Sequence, residues 1–390
     1  MIILGSRHVK YFNAPSDLDR VVIRVSTDVH RPRPLRSREA FLITGNDVPD
    51  GFSWYLALPG VRSFVDSIKK PIVFIPDEFN YLNDGDVVRL APKRGELQTL
   101  YRRSSFHNSF LLTERCNNYC LMCSQPPRNV DDEWLVDEIL EAITLIDIET
   151  REIGFTGGEP TLLEGRFIEL VQACKSYLPS TALHVLTNGR RFSDLSFSQA
   201  LGDVKHHDLM LGIPIYSDIA HLHDYVVQAD GAFDETIRGI LNLKKYNVKV
   251  ELRIVLHKLT VDRLPEIAEF IVRNLLFVDH VALMGLEIMG FTRANLDKLW
   301  VDPYEYRSQL REAALVLDRA RMRVSIYNTP LCLMETEAWR FARRSISDWK
   351  QQYVTECESC SVRNECSGFF VSSGYRRSNY IRPIINQTLG

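Results

Sequence analysis

Phe110-Leu111-Leu112-Thr113-Glu114-Arg115-Cys116-Asn117-Asn118-Tyr119-Cys120-Leu121-Met122-Cys123 decides how the rest of the chain is read. Its first four residues have the apolar character of a buried strand, and its cysteines follow in a C-x3-C-x2-C spacing. Three thiolates presented by one tight loop can hold three irons of a cubane cluster and leave the fourth iron without a protein ligand. An iron left open in this way can bind a substrate or cosubstrate. A structural zinc site completed by a distant ligand is the competing reading, although such sites usually draw on paired C-x2-C elements or Cys/His pairs.

Outward from this stretch, residues 109 to 326 alternate between short apolar runs and amphipathic segments. Strands are predicted at Phe110 to Thr113, Glu152 to Thr156, Leu183 to Thr187, Leu209 to Tyr216, Val248 to Leu256 and His280 to Leu286. Between them Ile139, Ala142, Ile143 and Ile146 share one helical face, as do Phe167, Leu170, Val171 and Cys174. Successive βα units imply an α/β fold with a parallel sheet. Because the crossovers are right-handed, the sheet should curl into a partial (βα)6 TIM-type barrel with its functional groups at the C-terminal strand ends. Both the cysteine loop and Gly157-Gly158-Glu159-Pro160 fall there.

Residues 1–105 read as a separate β-rich domain, with short strands at Val21 to Val25, Ala40 to Thr44, Ile72 to Ile75 and Val87 to Leu90. The basic loop from His30 to Arg38 could grip an acidic peptide or simply be a solvated, polyproline-like connection. The barrel is assigned to residues 106–326. After residue 327 the alternation stops, and residues 327–390 form a small Cys-rich extension.

Eight cysteines and a net charge of −3 bound the function. The charge implies no pull toward nucleic acid or anionic membrane. Met1-Ile2-Ile3-Leu4 is too short for a signal-peptide core, and no apolar stretch approaches the ~20 residues of a membrane span, so a cytoplasmic protein is expected. In that reducing compartment clustered cysteines point to metal ligands rather than disulfides. The second cluster is Cys332, Cys357, Cys360 and Cys366, a C-x24-C-x2-C-x5-C set whose four thiolates suit either a fully ligated [4Fe-4S] cluster or structural zinc. Cys174 lies on an apolar helical face and reads as a buried, inert thiol. His206-His207 and His221-x-His223 read as loop residues beside the fourth strand.

The cysteine spacing, followed by Gly157-Gly158-Glu159-Pro160, resembles the radical S-adenosylmethionine (SAM) superfamily. The resemblance implies a SAM-binding [4Fe-4S] cluster on the catalytic cysteines Cys116, Cys120 and Cys123. It places Gly157, Gly158, Glu159 and Pro160 along the methionine moiety, and Asn188, Ser217 and Arg253 near ribose, carboxylate and adenine. Superfamily members usually carry an aromatic residue just before the third cysteine. Here that residue is Met122, whose polarizable sulfur can also cover a ring face. Glu287 and Asn295 either line a substrate cavity or cap and pack helices. The C-x2-C-x5-C portion of the tail resembles a SPASM/twitch-like run, which implies one auxiliary [4Fe-4S] cluster at Cys332, Cys357, Cys360 and Cys366.

Longer strings, Cys116 to Pro127, Gly285 to Gly290 with Asn295, Phe341 to Trp349 and Cys357 to Phe370, are similar to the C-type maturase of the His-Xaa-Ser peptide system. That likeness implies a precursor peptide with His-x-Ser repeats as substrate, a second radical SAM maturase as partner, and an electron donor such as flavodoxin or ferredoxin. Two other functions fit parts of the pattern. One is a small-molecule radical SAM enzyme resembling the molybdopterin-precursor cyclase, and the other is a non-enzymatic metal-binding interaction protein.

Overall fold

The expected strand before the cysteine loop forms at Asn108–Leu111, two residues early. The computed structural model describes residues 4–7, 9–61, 69–344 and 352–385. Met1 to Ile3 of the expected N-terminus and Ser345 to Trp349 of the third family-like string lie outside the described residues.

The strands, in chain order, are β1 Gly5–Ser6, β2 Lys10–Phe12, β3 Val21–Ser26, β4 Glu39–Ile43, β5 Trp54–Ala57, β6 Ile72–Phe74, β7 Val87–Ala91, β8 Glu96–Tyr101, β9 Asn108–Leu111, β10 Glu152–Thr156, β11 Ala182–Leu186, β12 Leu209–Pro214, β13 Lys249–Leu256, β14 His280–Gly285, β15 Val324–Tyr327 and β16 Ala342–Arg343. The helices are α1 Arg33–Arg36, α2 Trp134–Ile143, α3 Gly165–Tyr177, α4 Leu195–Val204, α5 Ala220–Val227, α6 Ala232–Lys245, α7 Lys258–Val261, α8 Leu264–Asn274, α9 Phe291–Ala294, α10 Leu296–Leu299 and α11 Arg307–Arg319. The chain gathers into two compact units. One is Met1–Phe110 with Glu133–Gly154 and Glu169–Ala182; the other is Leu111–Asp132 with Phe155–Ile168 and Leu183–Gly390.

In the first unit the sheet runs β1-β8-β7-β3-β4-β5-β6-β2, parallel from β3 to β6 and antiparallel elsewhere. Side chains alternate across it, so Ala40 and Leu42 of β4 enter one apolar cluster while Phe41 and Ile43 enter another on the opposite face. Burial on both faces explains why these strands read as continuous apolar runs. The basic loop is folded rather than polyproline-like: it contains α1, and two of its arginines turn inward. Arg31 Nε donates to Glu39 Oε2 at 2.7 Å, and Arg36 donates to the carbonyls of Arg31, Val29 and Asp50. Both guanidinium groups are thus occupied by the loop's own fold.

The second sheet has the order β16-β15-β14-β13-β12-β11-β10-β9 and is parallel in every pair from β11 to β16. Neighbours in space are neighbours in sequence, with helices in the connections, which is the architecture of a partial TIM-type barrel. All six predicted strands form. β15 and β16 extend the sheet beyond them. The predicted helical faces are buried: Ile139, Ala142 and Ile143 on α2, and Phe167, Leu170, Val171 and Cys174 on α3. Burial pushes the Cys174 thiol up to about 12, as expected of an inert side chain. Among the described residues no helix is long and apolar enough to cross a membrane.

Two histidines are packed uncharged in the second unit. Burial holds His257 down at about 3 and His223, whose Nδ1 accepts from the Tyr216 amide, down at about 4. The unfolded chain protonates both near pH 6.5 while the folded protein does not. Stability is therefore fully present above about pH 6.5 and is lost as pH falls toward the folded-state values. Calorimetry should show Tm falling from about pH 6.5 to about pH 4, with a shallower fall in His257→Gln.

Candidate functional site

Where strands end, the backbone must leave the sheet, and the cysteine loop does so under close constraint. Thr113 Oγ1 and the Glu114 amide donate to the buried Asp132 carboxylate, and the Arg115 guanidinium lies 3.3 Å from it. The next strand end comes hard against this turn: the Gly158 amide donates to Thr113 O and the Glu159 amide to Arg115 O, both at 2.8 Å. A Cβ at Gly157, whose φ is +155°, would lie 2.5 Å from Thr113 O, and one at Gly158 would collide with Arg115 O. The two glycines are thus demanded first by chain-to-chain approach.

The loop itself is stapled from far along the chain. Amides of Tyr119 and Leu121 donate to the carbonyls of Val227 and Val226 at the end of α5. From the α9 region, Phe291 N donates to Cys123 O at 2.8 Å, Thr292 Oγ1 to Met122 O at 3.0 Å and Asn295 Nδ2 to Leu121 O at 3.0 Å. On the other side, Asn188 Nδ2 donates to Asn117 Oδ1, while Arg190 donates to Asn117 O and Asn118 Oδ1 and is itself held by Glu235. Asn295 Nδ2 also donates to Phe291 O, so it closes α9, one of the two roles left open for it, and in addition holds the loop; it does not line the cavity that the cysteines share.

So held, Cys116, Cys120 and Cys123 line one cavity of about 330 Å3. Met122, Gly157, Gly158, Asn188, Arg253 and Glu287 line it too, as do Gly212, Tyr216 and Met284. Burial, reinforced by the neighbouring thiols, pushes Cys116 and Cys120 up to about 12, and burial raises Cys123. Left to themselves these thiols stay protonated; a bound cation would be needed to ionise them.

Three residues expected at the ligand do not line the cavity. Glu159 is fully buried: Oε1 accepts from Thr161 N, Thr161 Oγ1 and Thr187 Oγ1, and Oε2 from the Asn188 amide. Its carboxylate ties the end of β10 to the end of β11 and has turned away from the cavity. Pro160 opens the short 3-10 turn Pro160–Leu163 and is buried. Ser217 Oγ accepts from the Ile219 amide at 3.1 Å, a local turn ahead of α5. Asn117, Arg190, Thr292 and Gly290 went unrecognised in the sequence. A Cβ at Gly290 (φ +51°) would collide with Cys123 O, yet a lone glycine in a loop gives no sign of that.

The tail cysteines also converge. Cys332, Cys357, Cys360 and Cys366 line a cavity of about 20 Å3 together with Tyr353, Arg363 and Arg382. Backbone amides point at the sulfurs, Leu331 N and Gly368 N at Cys366 and Ile384 N at Cys360, at 3.4 to 3.5 Å. His206 and His207 stack on each other before β12, and His223 packs against Tyr216 and Phe233. Among the described residues no group of three or more His, Cys, Asp or Glu side chains forms a single-ion site.

Residues 110–271 match the family profile described as the Radical SAM superfamily. The chain carries a radical SAM domain. The family implies a [4Fe-4S] cluster and SAM. The donor set fits them, with three thiols from one loop on one wall of a cavity that has further room. No curated protein matches the chain. Among solved structures it is similar to SuiB of Streptococcus suis bound to S-adenosylmethionine, with 15% identity and a TM-score of 0.46 over 64% of this chain and 55% of that one. It is also similar to anSMEcpe with bound AdoMet, with 19% identity and a TM-score of 0.43 over 56% of this chain and 62% of that one. A third is the methyltransferase TsrM from Kitasatospora setae, at 13% identity and a TM-score of 0.36 over 46% of this chain and 36% of that one. The chain thus spans about three-fifths or less of the length of these structures, likenesses too distant to speak to substrate.

If the glycine pair serves close approach, Gly158→Ala should destabilise the protein by about 2 kcal/mol, as overpacking does, and lower the iron retained after reconstitution. Gly165→Ala, at a position with nothing within 4 Å, should do neither. Thermal melts and iron assays read both.

Proposed function

We propose that this chain is a radical SAM enzyme that modifies a ribosomally made precursor peptide of the His-x-Ser repeat type. The observation that carries the enzyme reading is the convergence of Cys116, Cys120 and Cys123 on one cavity bounded by Gly157 and Gly158. Bound at these thiols, a [4Fe-4S] cluster would supply the one-electron chemistry that the family uses on SAM to open hydrogen abstraction from a substrate carbon. The chain's own residues bind and orient. Met122, fixed through its carbonyl by Thr292, covers the adenine; Asn188 and Arg253 take the polar ends of SAM; and Glu287 faces the substrate. Cys332, Cys357, Cys360 and Cys366 would hold one auxiliary [4Fe-4S] cluster, which would supply a second redox centre.

The peptide reading rests on the strings from Cys116 to Pro127, Gly285 to Gly290 and Cys357 to Phe370. It brings with it a second maturase, a flavodoxin- or ferredoxin-like donor and a cytoplasmic setting. Segments 1–105, 106–326 and 327–390 then divide the work. The first offers β1 and β2 as sheet edges to which an extended leader can add a strand. Tighter binding of a nucleotide than of a His-x-Ser peptide would favour the small-molecule reading instead.

Anaerobically reconstituted protein should hold about eight irons, four per cluster. Replacing Cys116, Cys120 and Cys123 together by Ala should remove about half and abolish SAM cleavage to 5′-deoxyadenosine. Zinc alongside about four irons would reassign the tail to structural zinc, and zinc without iron would end the enzyme reading. Changing Cys357 and Cys360 should spare much of the uncoupled SAM cleavage while abolishing peptide product.

A further inference from the structure

Beneath the cavity a charged cluster fills the barrel interior. Glu251 on β13 is 8% exposed, and its carboxylate is gripped from three strands. Oε2 meets His280 Nδ1 of β14 at 2.7 Å, while Oε1 lies 3.2 Å from the guanidinium of Arg253 on its own strand and 3.5 Å from His184 Nε2 of β11. His280 is in turn fixed, its Nε2 lying 3.0 Å from Ser325 Oγ on β15. Burying so many charged and polar groups is expensive unless each is partnered, and only one of them reaches the cavity wall. That one is Arg253.

Two features limit where its guanidinium can go. Its stem crosses the bare backbone of Gly212, where a Cβ would lie 3.0 Å from Arg253 Cδ and 3.2 Å from His184 Nε2. Its second contact is Met284 Sδ at 3.1 Å, a weak acceptor that cannot fix a cation. Aim therefore depends on Glu251, which is itself anchored by His280.

We propose that Glu251 is a positioning residue that, braced by His280, holds the Arg253 guanidinium toward the carboxylate of the SAM methionine moiety. The assignment rests on reading the cavity as a SAM site. Glu251 touches no ligand; it acts through Arg253. Without the carboxylate Arg253 keeps its charge and loses its direction, so the anionic end of the ligand meets an unaimed cation.

The test uses full-length, cluster-reconstituted protein, with SAM affinity read by equilibrium dialysis. Iron content, Tm and the steady-state constants for 5′-deoxyadenosine formation are read beside it. Glu251→Gln should raise the Kd for SAM about tenfold and put its loss in KM rather than kcat, with iron content close to wild type and a lowered Tm, since the groups partnered with the buried carboxylate lose their anion. Arg253→Met should weaken binding comparably, and the double variant should be little worse than Arg253→Met alone. Gly212→Ala, which displaces the arginine stem while leaving the carboxylate, should weaken SAM as well. Decarboxylated SAM should bind Glu251→Gln and wild type alike. Wild-type protein that binds no SAM would overturn the cavity reading and the proposal together. Wild-type binding that Glu251→Gln leaves unchanged, or fully additive losses in the double variant, would overturn the role of Glu251 alone.

Discussion

A short loop carrying three thiols has no stable shape of its own, and its conformation here is imposed by hydrogen bonds from other parts of the second unit. Val226 and Val227 accept its amides, Phe291, Thr292 and Asn295 cap its carbonyls, and Asn188 and Arg190 hold its asparagines. Each partner lies in the segment that follows a barrel strand, β11 for Asn188 and Arg190, β12 for Val226 and Val227, and β14 for Phe291, Thr292 and Asn295, so the loop is right only when these strands are in place around it. Preorganisation of this kind moves the entropic cost of gathering ligands into folding. The cysteines then meet a ligand already assembled.

The two cysteine sets solve different problems. Three thiols at the barrel mouth share a cavity of about 330 Å3 with glycines, Asn188 and Arg253, so ligand can occupy space that the protein does not ligate. Four thiols in the tail close on about 20 Å3, with backbone amides aimed at their sulfurs and Arg363 and Arg382 in the wall. Amide and guanidinium groups around a thiolate set favour added negative charge. Under the proposed function, the open site reacts and the closed one stores charge.

Much of the barrel was legible in the sequence because its strands keep apolar residues at alternate buried positions, Val250, Leu252 and Ile254 on β13 and Ile153 and Phe155 on β10, and amphipathic helical segments separate them. β15 and β16 were not, being four and two residues long. In the first unit Trp54–Ala57 is wholly buried yet too short to announce itself, and Glu96–Tyr101 carries enough polar residues to pass for a loop. Cysteines were legible at both sites because spacing alone restricts their chemistry. The tie from Thr292 to Met122 joins residues 170 apart, and no local pattern betrays such a contact.

The polar residues that the sequence offered to ligands, and that the fold engages itself, share one circumstance. Glu159, Ser217 and Arg36 carry groups suited to ligands, and each is engaged by backbone groups of its own fold, while Arg31 is engaged by the Glu39 carboxylate. Glu159 takes the orphan amide of Asn188, Ser217 that of Ile219, and Arg36 three loop carbonyls. An unpaired buried amide or carbonyl costs about 1–3 kcal/mol, comparable to what one good ligand contact returns. Near a barrel mouth, where strands end and backbone groups lose their sheet partners, polar side chains are therefore drawn into closing the fold. Arg253 escapes because Glu251 supplies its partner from below, which leaves it on the cavity wall.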